Sequence, residues 1–218
     1  MRLRLLLLLI LLGSCVSRIA TPAPTYRVHL TDPRAQYHFD DSPDGWDTFV
    51  MPRDQALFRV NDGALESAVV PGLGYVWSLS STAYRNVSIQ ATIQQTEGQP
   101  GNGFGLLCRA DARGNGYYFL ISSTGYFTIR LATSNQDDPV PLVDWQASDA
   151  IRQGNEPNQL LVVCVNDYLT FSVNGRFLAE ARDNTYDGGK LGVTLGAVQD
   201  TAWVRFDDII VREAAIAG

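Results

Sequence analysis

Between Tyr37 and Glu213 the chain is written almost entirely in short segments that alternate apolar and polar side chains, each bounded by Gly, Asn, Asp or Pro. A period of two places alternate side chains on opposite faces of an extended strand, and a long series of such segments predicts a β-sandwich. The clearest strands are expected at 56–60, 64–69, 74–79, 87–95, 104–110, 117–122, 126–132, 159–165, 168–173, 191–197 and 202–212. Asn61-Asp62-Gly63, Asn166-Asp167 and Asn174-Gly175 fall between neighbouring segments, where tight hairpin turns favour residues that tolerate the left-handed conformation. Leu169-Thr170-Phe171-Ser172-Val173 is apolar on one face only, whereas Leu160 to Val165 is apolar on both. Half-buried and fully buried strands together call for two stacked antiparallel sheets. No helical period of comparable strength competes; 149–152 offers one short helical turn.

The N-terminus has a different grammar. Arg2 and Arg4 precede the apolar run Leu5 to Leu12, followed at once by Gly13-Ser14-Cys15. The run is too short for a membrane span, which takes about 20 apolar residues. A basic start, short apolar centre and small residues describe an export signal. Leu12-Gly13-Ser14-Cys15 resembles the bacterial lipobox, which implies that Cys15 becomes a lipidated N-terminus, tethering the protein outside the cytoplasm in the cell envelope. The expected organisation is a signal at 1–14, Cys15 and a proline-containing spacer to 36, a sandwich at 37–213 and a tail at 214–218.

Charge narrows the partners. The chain carries a formal net charge of −6, which becomes −8 once Arg2 and Arg4 leave with the signal. Its basic residues are scattered, and without a basic patch to neutralise phosphates nucleic acid is excluded as a partner. Membrane attachment then comes from the lipid. With Cys15 acylated, Cys108 and Cys164 remain and are expected to form a disulfide, permitted outside the cytoplasm, two buried thiols in apolar runs being the alternative.

Several motifs carry a resemblance. Gly103-Phe104-Gly105-Leu106-Leu107-Cys108-Arg109 leads to Gly116-Tyr117-Tyr118-Phe119-Leu120-Ile121-Ser122 and Gly125-Tyr126-Phe127; Val173-Asn174-Gly175, Gly189 to Gly192 and Val204-Arg205-Phe206-Asp207-Asp208-Ile209 follow. This order resembles the concanavalin A-like lectin and glucanase superfamily, and within it the bacterial family 16 glycoside hydrolase-like and 3-keto-disaccharide hydrolase-like domains related to laminin G. The resemblance implies a jelly-roll sandwich and a glycan ligand. It also implies a structural calcium held by Asp207 on the last strand, with Asp40 and Asp41 completing the set. No other cofactor is expected.

Catalysis finds little support. The family 16 enzymes use Glu-x-Asp-x-x-Glu, because a retaining glycosidase needs two carboxylates about 5 to 5.5 Å apart. Glu66, Glu97, Glu156, Glu180 and Glu213 are the chain's glutamates, and none begins that motif. Glu66 paired with a distant Asp is the remaining route to an enzyme. His29 and His38 lie at or before the domain edge, away from any nucleophile. The expected function is therefore a non-catalytic, lipid-anchored carbohydrate-binding module. A hydrolase acting on glycans or modified disaccharides is one alternative, and a structural lipoprotein binding an envelope protein is another.

Alternation suggests the binding face. Phe104, Leu106, Cys108, Phe119, Ile121, Phe127, Ile129 and Leu131 should point inward, leaving Arg109, Tyr118, Tyr126 and Arg130 on one outer face with Trp145 at its margin. Aromatic rings with polar tips and guanidinium forks suit sugars. The competing reading is that the tyrosines only pack across strands and the arginines cover the surface.

Overall fold

A computed structural model describes residues 23–40, 42–136 and 138–217. Fifteen strands form two antiparallel sheets, and no α-helix occurs among the described residues. One sheet orders β13 (Arg176–Arg182), β12 (Tyr168–Val173), β11 (Asn158–Val165), β6 (Val87–Glu97), β15 (Ala202–Ile216), β4 (Ala64–Val69), β3 (Ala56–Asn61) and β2 (Phe49–Val50), with β1 (Val28–Tyr37) paired to the far half of β15. The other orders β10 (Val140–Ala147), β9 (Tyr126–Ala132), β8 (Gly116–Ile121), β7 (Gly103–Ala110), β14 (Gly189–Gly196) and β5 (Tyr75–Tyr84). The fold is the expected all-β, two-sheet jelly-roll sandwich.

The core is the meeting of the two inner faces. Ile89, Ile93, Leu160, Val162, Phe171, Val204 and Phe206 from the nine-stranded sheet meet Phe104, Leu106, Phe119, Ile121, Phe127, Ile129 and Val193 from the six-stranded one. Each such side chain contributes about 1.5–3 kcal/mol when removed from water. Cys108 on β7 and Cys164 on β11 are both fully buried and form a disulfide that joins the two sheets. The three hairpin turns lie where the sequence puts them; Asp62, Gly63, Asn174 and Gly175 all take positive φ. Among the described residues the main core cluster runs from Ala35 to Val211 and encloses the disulfide.

Four strands escape the sequence reading, and two domain limits move. β1 lies in the stretch assigned to the spacer, and β15 runs through Ile216 into the assigned tail. β1 is mostly exposed and carries Pro33 between two register shifts, so alternation is lost; proline belongs on such irregular strands. Residues 149–152 form turn and bend rather than a helical turn. Upstream of β1, the Thr25 amide and hydroxyl donate to the Glu180 carboxylate. The Tyr26 ring meets Tyr168 edge-on at 5.2 Å, and Arg182 sits 4.9 Å above Tyr26. Val28, Leu30 and Ile216 cover Val163 and Val165 beside this strap. The chain thus enters the domain over the outer face of the nine-stranded sheet. Cys15 and its lipobox-like surroundings lie outside the described residues.

Candidate functional site

The outer face of the six-stranded sheet carries a recess built from its edge inward. In β5, the register with β14 sets Tyr75 opposite Gly196, Trp77 opposite Thr194 and Leu79 opposite Gly192. Val193 and Leu195 belong to the core, so Tyr75, Trp77 and Leu79 point outward. Ser78 and Ser80 face inward, their hydroxyls donating to the carbonyls of Asp47 and Thr82.

The two aromatics fold back across the sheet because glycines lie beneath them. A Cβ added at Gly103 would lie 2.7 Å from the Tyr75 hydroxyl, and one at Gly114 would lie 2.7 Å from the Trp77 indole. Tyr75 and Trp77 pack over the buried outer cluster of Leu79, Leu107, Tyr118 and Leu120. The Tyr75 and Tyr118 rings meet edge-to-face at 5.7 Å. Tyr118 donates its hydroxyl to the Gly114 carbonyl at 2.8 Å, and burial pushes its pKa up, as it does that of Tyr75. Both phenols therefore stay neutral hydrogen-bonding groups at physiological pH.

Above this floor, Leu73, Tyr75, Trp77, Arg113, Asn115, Tyr118, Thr133, Gln136 and Asp138 line a recess of about 220 Å³. Its β7–β8 rim is stiffened by Asp111, whose carboxylate accepts from the amides of Arg113 and Asn115 and from the Asn115 side chain. Burial would raise this carboxyl, but these hydrogen bonds outweigh it and hold the pKa low. The recess thus offers an indole edge, two phenols, a guanidinium, two amides, a hydroxyl and one carboxylate around a hydrophobic floor.

The residues expected from alternation scatter differently. Tyr118, Tyr126 and Arg130 do share the outer face, with Tyr118 opposite Arg130 in the β8–β9 register. Tyr118, however, is buried as part of the floor, 2 % exposed. Tyr126 stands 44 % exposed, four residues and about 13 Å along β9 from Arg130. Arg130 donates its Nε–H to the Pro139 carbonyl, fastening the β9–β10 loop beside the recess. Trp145 is on edge strand β10, 38 % exposed and outside the recess.

Arg109 departs from expectation entirely. Leu107 pairs with Gly192 and Ala110 with Lys190, so β7 spends one residue more than β14 between the same two pairs. This bulge, with Arg109 at φ 56°, hands the outer position to Ala110 and turns Arg109 inward, 1 % exposed. A bulge re-aims a side chain in just this way. The guanidinium donates to the carbonyls of Arg85, Asn166 and Tyr186, tying three connections at one end of the sandwich. It is a structural pin and is withdrawn from the ligand-contacting set.

The carboxylates stay apart. Glu66 is paired with Arg59 at 2.7 Å and with Asn61 on the nine-stranded sheet. His38 is 3.2 Å from Asp208 at the domain edge. Asp207 accepts the Asp208 amide, and burial pushes its carboxyl up. Asp40 is exposed and Asp41 lies outside the described residues, so the suggested calcium set is defined only at Asp40 and Asp207. Among the described residues no three His, Cys, Asp or Glu side chains group as metal ligands.

No protein-family profile matches the sequence, and no curated protein matches it. Solved structures do. A carbohydrate-binding module, CBM66 from Bacillus subtilis, superposes with a TM-score of 0.62 at 16 % identity, covering 78 % of this chain and 96 % of that one. A Bacillus subtilis protein of unknown function with a galectin-like fold gives 0.63 at 16 % identity over 88 % of this chain and all of the other. The carbohydrate recognition domain of Emp47p gives 0.55 at 11 % identity over 85 % and 96 %. The protein therefore has a galectin-like jelly-roll fold, the class in which these neighbours fall; at such identities the likeness speaks to fold alone.

Proposed function

We propose that this protein is an exported, lipid-anchored, non-catalytic module that binds a glycan in the Tyr75–Trp77 recess. The observation that carries this reading is the recess itself, an aromatic floor and wall ringed by Arg113, Asn115, Gln136 and Asp138. A pyranose has apolar C–H faces and a rim of hydroxyls, and aromatic faces with directed polar groups answer both. The fold of the carbohydrate-binding neighbours supports the same ligand class.

Two further features support the setting. A buried disulfide between sheets suits a compartment outside the cytoplasm. The Thr25–Tyr26 strap lies on the outer face of the nine-stranded sheet, the face opposite the recess, which suits a tether that leaves the recess accessible. Binding is favoured over hydrolysis because Asp138 is the one carboxylate among the described residues lining the recess, while Glu66 is engaged by Arg59. A glycan array probed with the sandwich and with Trp77→Ala tests the reading: specific signals lost in the variant support it, and an empty array or unchanged signals refute it.

A further inference from the structure

The ridge formed by Tyr75 and Trp77 has a second side. Around the edge of β5, Phe49, Met51, Leu73, Tyr75, Val76 and Trp77 line another recess of about 360 Å³. Apart from the Tyr75 hydroxyl and the Trp77 indole N–H, every side chain lining it is hydrocarbon or thioether. Leu73, on its rim, is 37 % exposed. The two recesses share Leu73, Tyr75 and Trp77, so a single aromatic ridge is all that separates them.

We propose that the ligand is an amphiphilic glycan, its sugar in the polar recess and an alkyl or acyl chain on that sugar in the apolar one. This rests on the glycan reading of the polar recess and extends it to the ligand's second half. An unsubstituted sugar seated in the polar recess spends its C–H face on the Tyr75–Trp77 ridge and has no further hydrocarbon for the Phe49–Met51–Leu73 side, where only hydrocarbon is rewarded by leaving water. A free fatty acid brings one carboxylate, which answers Arg113 but is repelled by Asp138 and leaves the rest of the polar rim unmatched. A sugar with a chain at one end satisfies both sides, and the shared ridge fixes their order.

The test compares methyl and n-octyl glycosides of glucose, galactose, mannose and N-acetylglucosamine, titrated below micelle-forming concentrations into the sandwich. For at least one sugar, the octyl form should bind at least tenfold more tightly than the methyl form, about 1.4 kcal/mol. Met51→Asp should erase that advantage while leaving the methyl glycoside's affinity unchanged; Trp77→Ala should weaken both. Met51 is half-buried at the rim, and thermal melting of the variant checks that it folds. Equal affinities for the two forms overturn the amphiphile and leave the glycan reading standing. An octyl advantage untouched by Met51→Asp also overturns it, because the chain then binds elsewhere. No binding of any glycoside, with an empty glycan array, removes both readings. A dimer in sedimentation that Met51→Asp dissociates assigns the apolar side to a second copy of the chain and overturns the proposal.

Discussion

Replacing Arg109 with Met retains most of the side chain's bulk and removes all of its donors. Its guanidinium reaches the carbonyls of Asn166 at 2.7 Å, Tyr186 at 2.8 Å and Arg85 at 3.2 Å. A buried polar group left without a partner costs about 1–3 kcal/mol. Three orphaned carbonyls set a gross loss of about 3–9 kcal/mol, from which the variant recovers the cost of desolvating a buried cation. Burial already pushes the Arg109 pKa down, a sign that this cost is real. A net loss of about 3 kcal/mol follows, the lower end of the range, because connections at a sandwich end admit water. For a domain of this length that lowers Tm by about 6–12 °C. Urea unfolding and calorimetry of Arg109→Met read both quantities. The Arg85, Asn166 and Tyr186 amides should also exchange faster, since three connections lose one tie. A loss under about 1 kcal/mol, with exchange unchanged, would show that Arg109 does not pin these connections.

Other predictions concern the covalent and ionic ties. Replacing Cys108 and Cys164 together with Ala should cost about 4 kcal/mol, the chain-entropy value for a closed loop of about 57 residues; denaturant midpoints check it, and an unchanged midpoint would refute the cross-link. Glu180 is held at a lowered pKa because hydrogen bonds from Thr25 and Tyr168 outweigh the burial that would raise it. A depressed carboxyl stabilises the strap above the ordinary glutamate value, and that contribution is lost as the pH falls through the folded pKa. The protection factor of the Thr25 amide, its exchange rate compared with the intrinsic rate at the same pH, should therefore fall as the pH drops below the ordinary glutamate value of 4.5 and hold constant above it; a protection factor unchanged by acid, or lost only on the alkaline side, would refute the contact. Cys15→Ala should release the protein from membranes or block its processing, and a mature, unacylated N-terminus elsewhere in the native protein would refute lipidation.

The sequence revealed the fold more readily than the site, and the reason lies in particular residues. Alternation correctly turned Phe104, Leu106, Phe119, Ile121, Phe127 and Ile129 inward, because each lies in a regular ladder. It failed at Arg109, where one extra residue reverses the parity, and a bulge leaves no mark in a period-two pattern. It also passed over Tyr75 and Trp77. There Tyr75, Trp77 and Leu79 face outward and Ser78 and Ser80 face inward, so a reading that buries the aromatics inverts the strand. The useful sign was the set of glycines at 103, 114 and 196, whose missing side chains make room for the two rings. β10 and β1 were lost because register shifts interrupt both strands.

The chain has four tryptophans, and their positions make one measurement decisive. Trp46 is buried in the core, Trp145 is on edge strand β10, Trp203 is on the nine-stranded sheet beneath Arg59, and Trp77 walls the recess. Titrating an array-selected glycan into the 15N-labelled sandwich should shift the Trp77 indole N–H resonance together with the Asn115 and Gln136 side-chain amides. The Trp46 and Trp203 signals should hold still. Shifts at Trp203 or Trp145 with Trp77 unmoved would place the ligand elsewhere and contradict the account.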